Sequence, residues 1–434
     1  MSLLTTEHTS KSIGQMRDRF ISVRQQSMKL CETLKEEDFV VQPVVDVSPP
    51  KWHLAHTTWF FETFVLKAFY EQYEVFDKQY DFLFNSYYES VGKRTIRAER
   101  GFMTRPTVGE IKQYRAYVDE QLSAFLSGLT ELQPELEELI VLGLQHEQQH
   151  QELMLYDIKR IFGGNPIFPV YREISGATEA SSIVAKEWLS MPEGTYEIGV
   201  KEGATGFSFD NESGVHKVHL HAYEIESGLV TNGEFLEFVE ADGYERFEYW
   251  LMEGWEWVKK QEFKNPAYWF FLDGEWVWIE LQGGHRPIEM DAPVTNVRLY
   301  AADAYARRKG LRLPTEFEWE AAARQYAPEV PAAANFVEEE NYHPVVRTAG
   351  NYQFFGDVWE WTNSSYLPYP YFQTKKGAVG EYNGKFMVNQ MVLRGGSCAT
   401  PRDHIRHTYR NFFHPHLKWF FNGIRLARYS RDPQ

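Results

Sequence analysis

One helix-length segment constrains this chain more than any other. Between residues 139 and 158, Leu139, Leu142, His146, His150, Leu153 and Ile158 recur at helical spacing. Residues four apart on a helix point from one face. The imidazoles of His146 and His150 therefore point where the leucines point, into an interior. Buried imidazoles need partners. The fold must then offer a helix-lined core with a polar centre.

Three further segments carry the same period. Met16, Phe20, Val23 and Met28 form one. Trp52, Trp59, Phe60 and Phe64 form a second, after a break at Ser48-Pro49-Pro50. Tyr114, Tyr117, Val118, Leu122 and Phe125 form a third. Four helices joined by unequal loops predict a bundle over residues 1–173. The stretch NSYYESVGKRTIRAERGFMTRP falls between the second and third helices. It is polar, basic and aromatic, the texture of a functional loop. Residues 174–185, ISGATEASSIVA, are small and polar without a period, and predict a linker. From 186 to 434 the texture changes. HKVHLHAYEI and GEWVWIEL alternate like strands, and VRLYAADAYARRKG predicts a helix capped by Gly310. The expectation is an α bundle followed by a mixed α+β domain.

Composition narrows the function. The formal net charge of −16 opposes a nucleic-acid partner, which would require a basic footprint. The two cysteines, Cys31 and Cys398, support neither a disulfide framework nor a Cys-based zinc site. The N-terminal residues lack the apolar run of a signal peptide, and no run predicts a membrane span. A cytoplasmic protein without a membrane partner is the expectation. Aromatic residues make up 16% of the chain, enough to line rigid pockets that suit quaternary ammonium ligands.

His146-Glu147-Gln148-Gln149-His150 is H-E-x-x-H, the pattern in which zinc peptidases use two histidines and a glutamate base. The peptidase reading fails on its third ligand. The downstream segment IFGGNPIFPVYREI, with Gly-Gly and two prolines, predicts no helix to present one. WHLAH offers a replacement. Trp59, Phe60 and Phe64 follow His56 at three, four and eight residues, which puts His56 on an apolar helix face. His53, nearly a turn earlier, competes for the role. Three histidines on facing helices make a metal site with open positions, and spacing alone does not choose iron over zinc. Glu147, about 100° round the helix from His146, reads as a bystander as readily as a base.

The C-terminal part carries four specific phrases in order: LRLPTEFEWEAAAR, GDVWEWT, VLRGGS and NGIRLAR. They resemble the formylglycine-generating, sulfatase-modifying-factor domain, which implies a C-type-lectin-like α+β fold. With WHLAH and HEQQH on a DinB-like four-helix bundle, the whole chain resembles the ergothioneine-biosynthesis sulfoxide synthases. These are nonheme iron oxygenases that join a thiol sulfur to imidazole C2 of hercynine, using O2. The resemblance implies Fe(2+) held by His56, His146 and His150. It implies Gln149 against the hercynine imidazole, and Asn411 and Phe412 at the carboxylate and trimethylammonium end. A tyrosine supplies a proton or an electron. Tyr87 and Tyr88 in the interhelix loop are preferred over Tyr366 and Tyr369, which follow GDVWEWT.

The thiol partner follows from the same resemblance. The branch using γ-glutamylcysteine has an Asp and an Arg where this chain has Phe413 and Leu417. Free cysteine is therefore expected, with Arg94 and Arg97 as candidates for its carboxylate. The alternatives are a γ-glutamylcysteine-, histidine- or selenium-using relative, a zinc hydrolase or thiol transferase confined to the bundle, and a lectin-like binding protein.

Overall fold

The computed structural model describes residues 12–86, 92, 94–173, 184–201, 203–260, 264–348, 350, 352–374 and 383–430. Two compact units emerge. One comprises Met1–Gly164 with Gly203–Phe207 and Thr374–Tyr382. The other comprises Asn165–Glu202, Ser208–Gln373 and Asn383–Gln434. Most of the 174–185 linker expected from composition, residues 174–183, lies outside the described residues. No helix among the described residues is long and apolar enough to cross a membrane.

The first unit is built on four long helices: α1 (Ile13–Leu30), α2 (Pro50–Phe61), α3 (Val108–Gly128) and α4 (Pro134–Phe162). Local chemistry marks their starts. Ser12 and Gln15 form a capping box at α1, and Thr107 and Glu110 form one at α3. Proline occupies the first turn of α2 and α4, where its missing N–H costs nothing. α2 runs on into a π-helical turn, Glu62–Leu66, a distortion that recurs at functional sites.

The predicted core positions Met16, Phe20, Val23, Trp52, Trp59, Phe60, Tyr114, Val118, Leu122, Leu142 and Ile158 are buried. Leu139 and Leu153 are only half-buried. α4 is instead covered all round its middle. Leu142 through Gln148 are all buried, polar side chains included. An amphipathic stripe understates how central this helix is.

Among its described residues the second unit holds twelve short strands in four sheets. β1 (Trp188–Met191), β4 (Tyr223–Glu226) and β12 (Ala427–Tyr429) form one, and β2 (Gly194–Ile198) pairs with β3 (His216–Leu220). β5 (Trp269–Leu272), β6 (Glu275–Glu280) and β7 (Gly284–Pro287) form a meander. β10 (Asn411–Phe413), β9 (Met391–Arg394), β8 (Trp359–Ser365) and β11 (Asn422–Gly423) form the fourth. Helices α5 (Asn232–Glu240), α6 (Leu299–Arg308) and α7 (Glu316–Tyr326) accompany them. The run HKVHLHAYEI does yield two strands, β3 and β4, but they enter different sheets. α6 ends as expected, with Gly310 at φ 69° just past it.

The four C-terminal phrases interlock through buried hydrogen bonds. Glu316 of the first phrase accepts from Arg394 of VLRGGS at 2.8 Å, from Arg410 at 2.9 and 3.0 Å and from Tyr369 at 2.9 Å. Trp319 of the same phrase donates to Glu360 of GDVWEWT at 2.8 Å. Glu360 also accepts from Arg425 of NGIRLAR at 2.6 and 2.9 Å. β8 and β9 place Glu360 opposite Arg394. Gly395 sits at φ 100°, and a Cβ there would lie 2.6 Å from the Phe354 carbonyl oxygen, so the tight turn requires glycine.

Burial alone would raise the Glu316 carboxyl, yet Arg410 and Arg394 hold it below the usual range. Removing one partner of such a network strands a buried charge. Glu316→Ala is therefore expected to destabilise the second unit by about 3–5 kcal/mol. Near-UV circular dichroism of the buried tryptophans, followed through thermal unfolding, checks this.

Candidate metal centre

α2 and α4 together bring three imidazoles to one point. The ring centres of His56, His146 and His150 form a near-equilateral triangle, 4.9, 4.9 and 4.6 Å on a side. One nitrogen from each lies within 4.8 Å of the other two. All three side chains are buried.

The close approach of the helices has a local cause. Gly143 lies one turn before His146 on α4. A Cβ there would stand 2.6 Å from Phe61 and 2.9 Å from Phe60 of α2. Glycine lets the α2 aromatics lie against the α4 backbone.

Each ring is held by what surrounds it. Trp52 stacks on His56 at 4.5 Å and 15°, and Trp59 lies parallel to it at 5.6 Å. The Arg100 guanidinium caps the Trp52 ring at 3.4 Å and donates to Ser48 and Ser86. His56 Nδ1 donates to the Phe84 carbonyl at 2.6 Å. A carbonyl only accepts, so the lone pair of His56 is on Nε2. Among the described residues that buried Nε2 has no hydrogen-bond partner. His150 Nδ1 lies 2.8 Å from His53 Nδ1, and His53 Nε2 lies 2.9 Å from Asp157.

Burial pushes His146 down to about 3. His56 and His150 are pushed down by burial first and by their neighbour His146 next. The three rings are neutral at physiological pH, the form that binds metals. Three neutral buried imidazoles with an orphaned lone pair fit a first-row divalent ion such as Fe(2+). A second group, Glu193, His219 and His221, also gathers, but all three are exposed, and the glutamate lies 3.6 Å from one ring and 3.9 Å from the other.

Glu147 serves the bundle. It accepts from Arg24 at 2.8 Å and Ser27 at 2.6 Å, both on α1, and pairs with Arg115 on α3. Burial alone would raise its pKa, but Arg115 and Arg24 outweigh that and hold it at about 2. A general base works best near the operating pH, so this carboxylate is no peptidase base. It ties α1 and α3 to α4. Sequence reasoning missed its partners Arg24 and Arg115, because an arginine on a helix reads as solvated until its face is known.

The remaining candidates divide between the units. Gln149 is half-buried on α4, between the two histidines in sequence. Arg94 donates to the Ser86 carbonyl at 2.8 Å and Arg97 to the Asp46 carbonyl at 2.5 Å, and both are exposed. Tyr87 and Tyr88 lie outside the described residues. In the second unit Phe412 stacks on Tyr366 at 4.1 Å and 11°, and both Asn411 and Phe412 are half-buried on β10. Tyr366 accepts from Asn211 at 2.9 Å, and Tyr369 lies between Glu316 and Arg394.

Residues 175–430 match the sulfatase-modifying factor enzyme 1-like domain, and residues 19–154 match the DinB superfamily. The hercynine oxygenase of Mycolicibacterium smegmatis is 31% identical over 310 residues, covering 66% of this chain and 70% of that protein. The hercynine oxygenase of Mycobacterium tuberculosis is 30% identical over 336 residues, covering 72% and 77%. This chain belongs to the hercynine oxygenase family. It is an oxygenase built from a DinB bundle followed by a sulfatase-modifying-factor domain. Ergothioneine biosynthesis protein 1 of Schizosaccharomyces pombe is 25% identical over 274 residues, covering 61% of this chain and 32% of that protein.

Two substitutions test how the bundle builds this oxygenase's centre. Helix propensity favours Gly143→Ala by about 1 kcal/mol, but the clash with Phe60 and Phe61 costs about 1–3 kcal/mol. The variant is expected to unfold at lower urea and to bind Co2+, a spectroscopic probe for Fe(2+), less tightly. Glu147→Gln is expected to lose stability while keeping the metal, since the carboxylate clamps helices. Urea titration and metal analysis of the folded variant separate the two effects.

Proposed function

We propose that the protein is a nonheme iron sulfoxide synthase of ergothioneine biosynthesis. It joins cysteine to imidazole C2 of hercynine and oxidises the sulfur, giving hercynylcysteine sulfoxide. In this reaction the S–H and C2–H bonds break, and the C–S and S–O bonds form. One oxygen atom of O2 ends in the sulfoxide and the other leaves as water with the two hydrogens. The observation that carries the reading is the buried His56, His146 and His150 triangle in a chain about 30% identical to hercynine oxygenases.

His56, His146 and His150 hold Fe(2+), which supplies one-electron chemistry toward O2 and favours the thiolate form of a bound thiol. The chain's own work is to hold two substrates beside that centre and keep them dry, and positioning supplies much of the rate. Gln149 contacts the hercynine imidazole. Asn411 and Phe412 take its carboxylate and trimethylammonium end, where the aromatic face of Phe412 suits a quaternary cation. Arg94 and Arg97 are the candidates for the cysteine carboxylate, and the use of cysteine rests on Phe413 and Leu417. Tyr87 and Tyr88 remain the preferred proton donors. The choice is supported by the buried partners that engage the Tyr366 and Tyr369 hydroxyls.

Anaerobically reconstituted protein, given hercynine, cysteine and then O2, is expected to form a product with the sulfoxide mass while an oxygen electrode records consumption. His56→Ala is expected to lose both iron and turnover. Zinc in the purified protein with an O2-independent activity would overturn the reading. Faster turnover on γ-glutamylcysteine would reassign the thiol alone.

A further inference from the structure

His53 was a rival for the third ligand position, yet it is not among the three rings whose nitrogens gather. Both of its nitrogens are engaged elsewhere. Nε2 faces Asp157 Oδ2 at 2.9 Å, and Nδ1 faces His150 Nδ1 at 2.8 Å. The same Asp157 oxygen accepts from the Ser48 backbone N–H at 2.8 Å. All three side chains are buried: His53 is 3%, Asp157 2% and His150 5% exposed.

For singly protonated rings, the chemistry of these partners leaves one arrangement. A carboxylate accepts, so the His53 proton sits on Nε2 and points to Asp157. With one proton on the ring, that leaves the lone pair at Nδ1. Two imidazole nitrogens at 2.8 Å require a proton between them, and it must come from His150. His150 therefore carries its proton on Nδ1 and presents the Nε2 lone pair. For His56 the Phe84 carbonyl imposes the same tautomer. A metal-bound histidine whose other N–H is held by an acceptor is a better oriented and more basic ligand.

We infer that His53 and Asp157 form a relay that fixes His150 in its ligand tautomer and orientation, making His53 a positioning residue for the metal centre. The relay runs from α4 to α2 and back. His53 lies one turn before His56, and Asp157 lies two turns after His150. A metal held at the triangle is thereby coupled to the packing of the two helices. The inference rests on the iron site proposed above, while concerning residues that do not touch the metal.

The test titrates metal-free protein with Co2+ and reads its visible absorption bands, with far-UV circular dichroism and melting of each metal-free variant as a fold control. His53→Leu removes the acceptor and is expected to weaken Co2+ binding about 10–100-fold. His53→Gln keeps an acceptor oxygen and is expected to recover part of that loss. Asp157→Asn, which removes the charge behind His53, is expected to fall between wild type and His53→Leu. If His53→Leu does not fold, the His53→Gln and Asp157→Asn pair still orders the affinities. Wild-type affinity in the folded variants overturns the relay and leaves the three-histidine site standing. Absence of Co2+ binding in the wild type overturns the site itself, and the relay with it.

Discussion

Three buried imidazoles, each with a nitrogen within 4.8 Å of the other two, are the constraint around which the first unit is arranged. Nitrogen lone pairs taken from water are costly unless something binds them. The bundle accepts that cost by bringing α2 against the Gly143 face of α4, where a side chain would push the rings apart. Parallel tryptophans flank His56, and Arg100 closes over one of them. Burial keeps the rings neutral, so their lone pairs stay available at physiological pH.

The charges that hold the bundle together are kept on other partners. Glu147 follows His146 directly, yet its carboxylate joins Arg24 and Arg115. A helix turns about 100° per residue, so consecutive side chains face different neighbours. One five-residue motif thereby serves two purposes. Its histidines make a centre, and its glutamate clamps two other helices. The peptidase-like spelling of HEQQH misleads because the pattern records spacing and carries no information about what each face meets.

The second unit follows the same logic with charges in place of a metal-ready centre. Glu316, Glu360, Arg394, Arg410 and Arg425 tie distant segments together inside the core. Each of the four phrases that mark the family in sequence contributes to this network or its glycine turn. Tyr369, chemically plausible as a donor on sequence, is drawn into it through Glu316 and Arg394, and Tyr366 accepts from Asn211.

The sequence by itself determined the division into a helical part and an α+β part, because helical and strand periods differ wherever one face is buried. It also marked His146 and His150 as a pair on one apolar helix face, with His56 and His53 as rivals for the third place. Only the tertiary structure decided between His56 and His53. Both lie on one short helix, and the choice depended on which ring gathered with both α4 histidines and which was held between Asp157 and His150. The partners of Glu147, Glu316 and Glu360 were likewise decided by tertiary structure. Hydrogen bonds between side chains 32 to 123 residues apart leave no periodic trace, because their geometry exists only once the helices and sheets have packed.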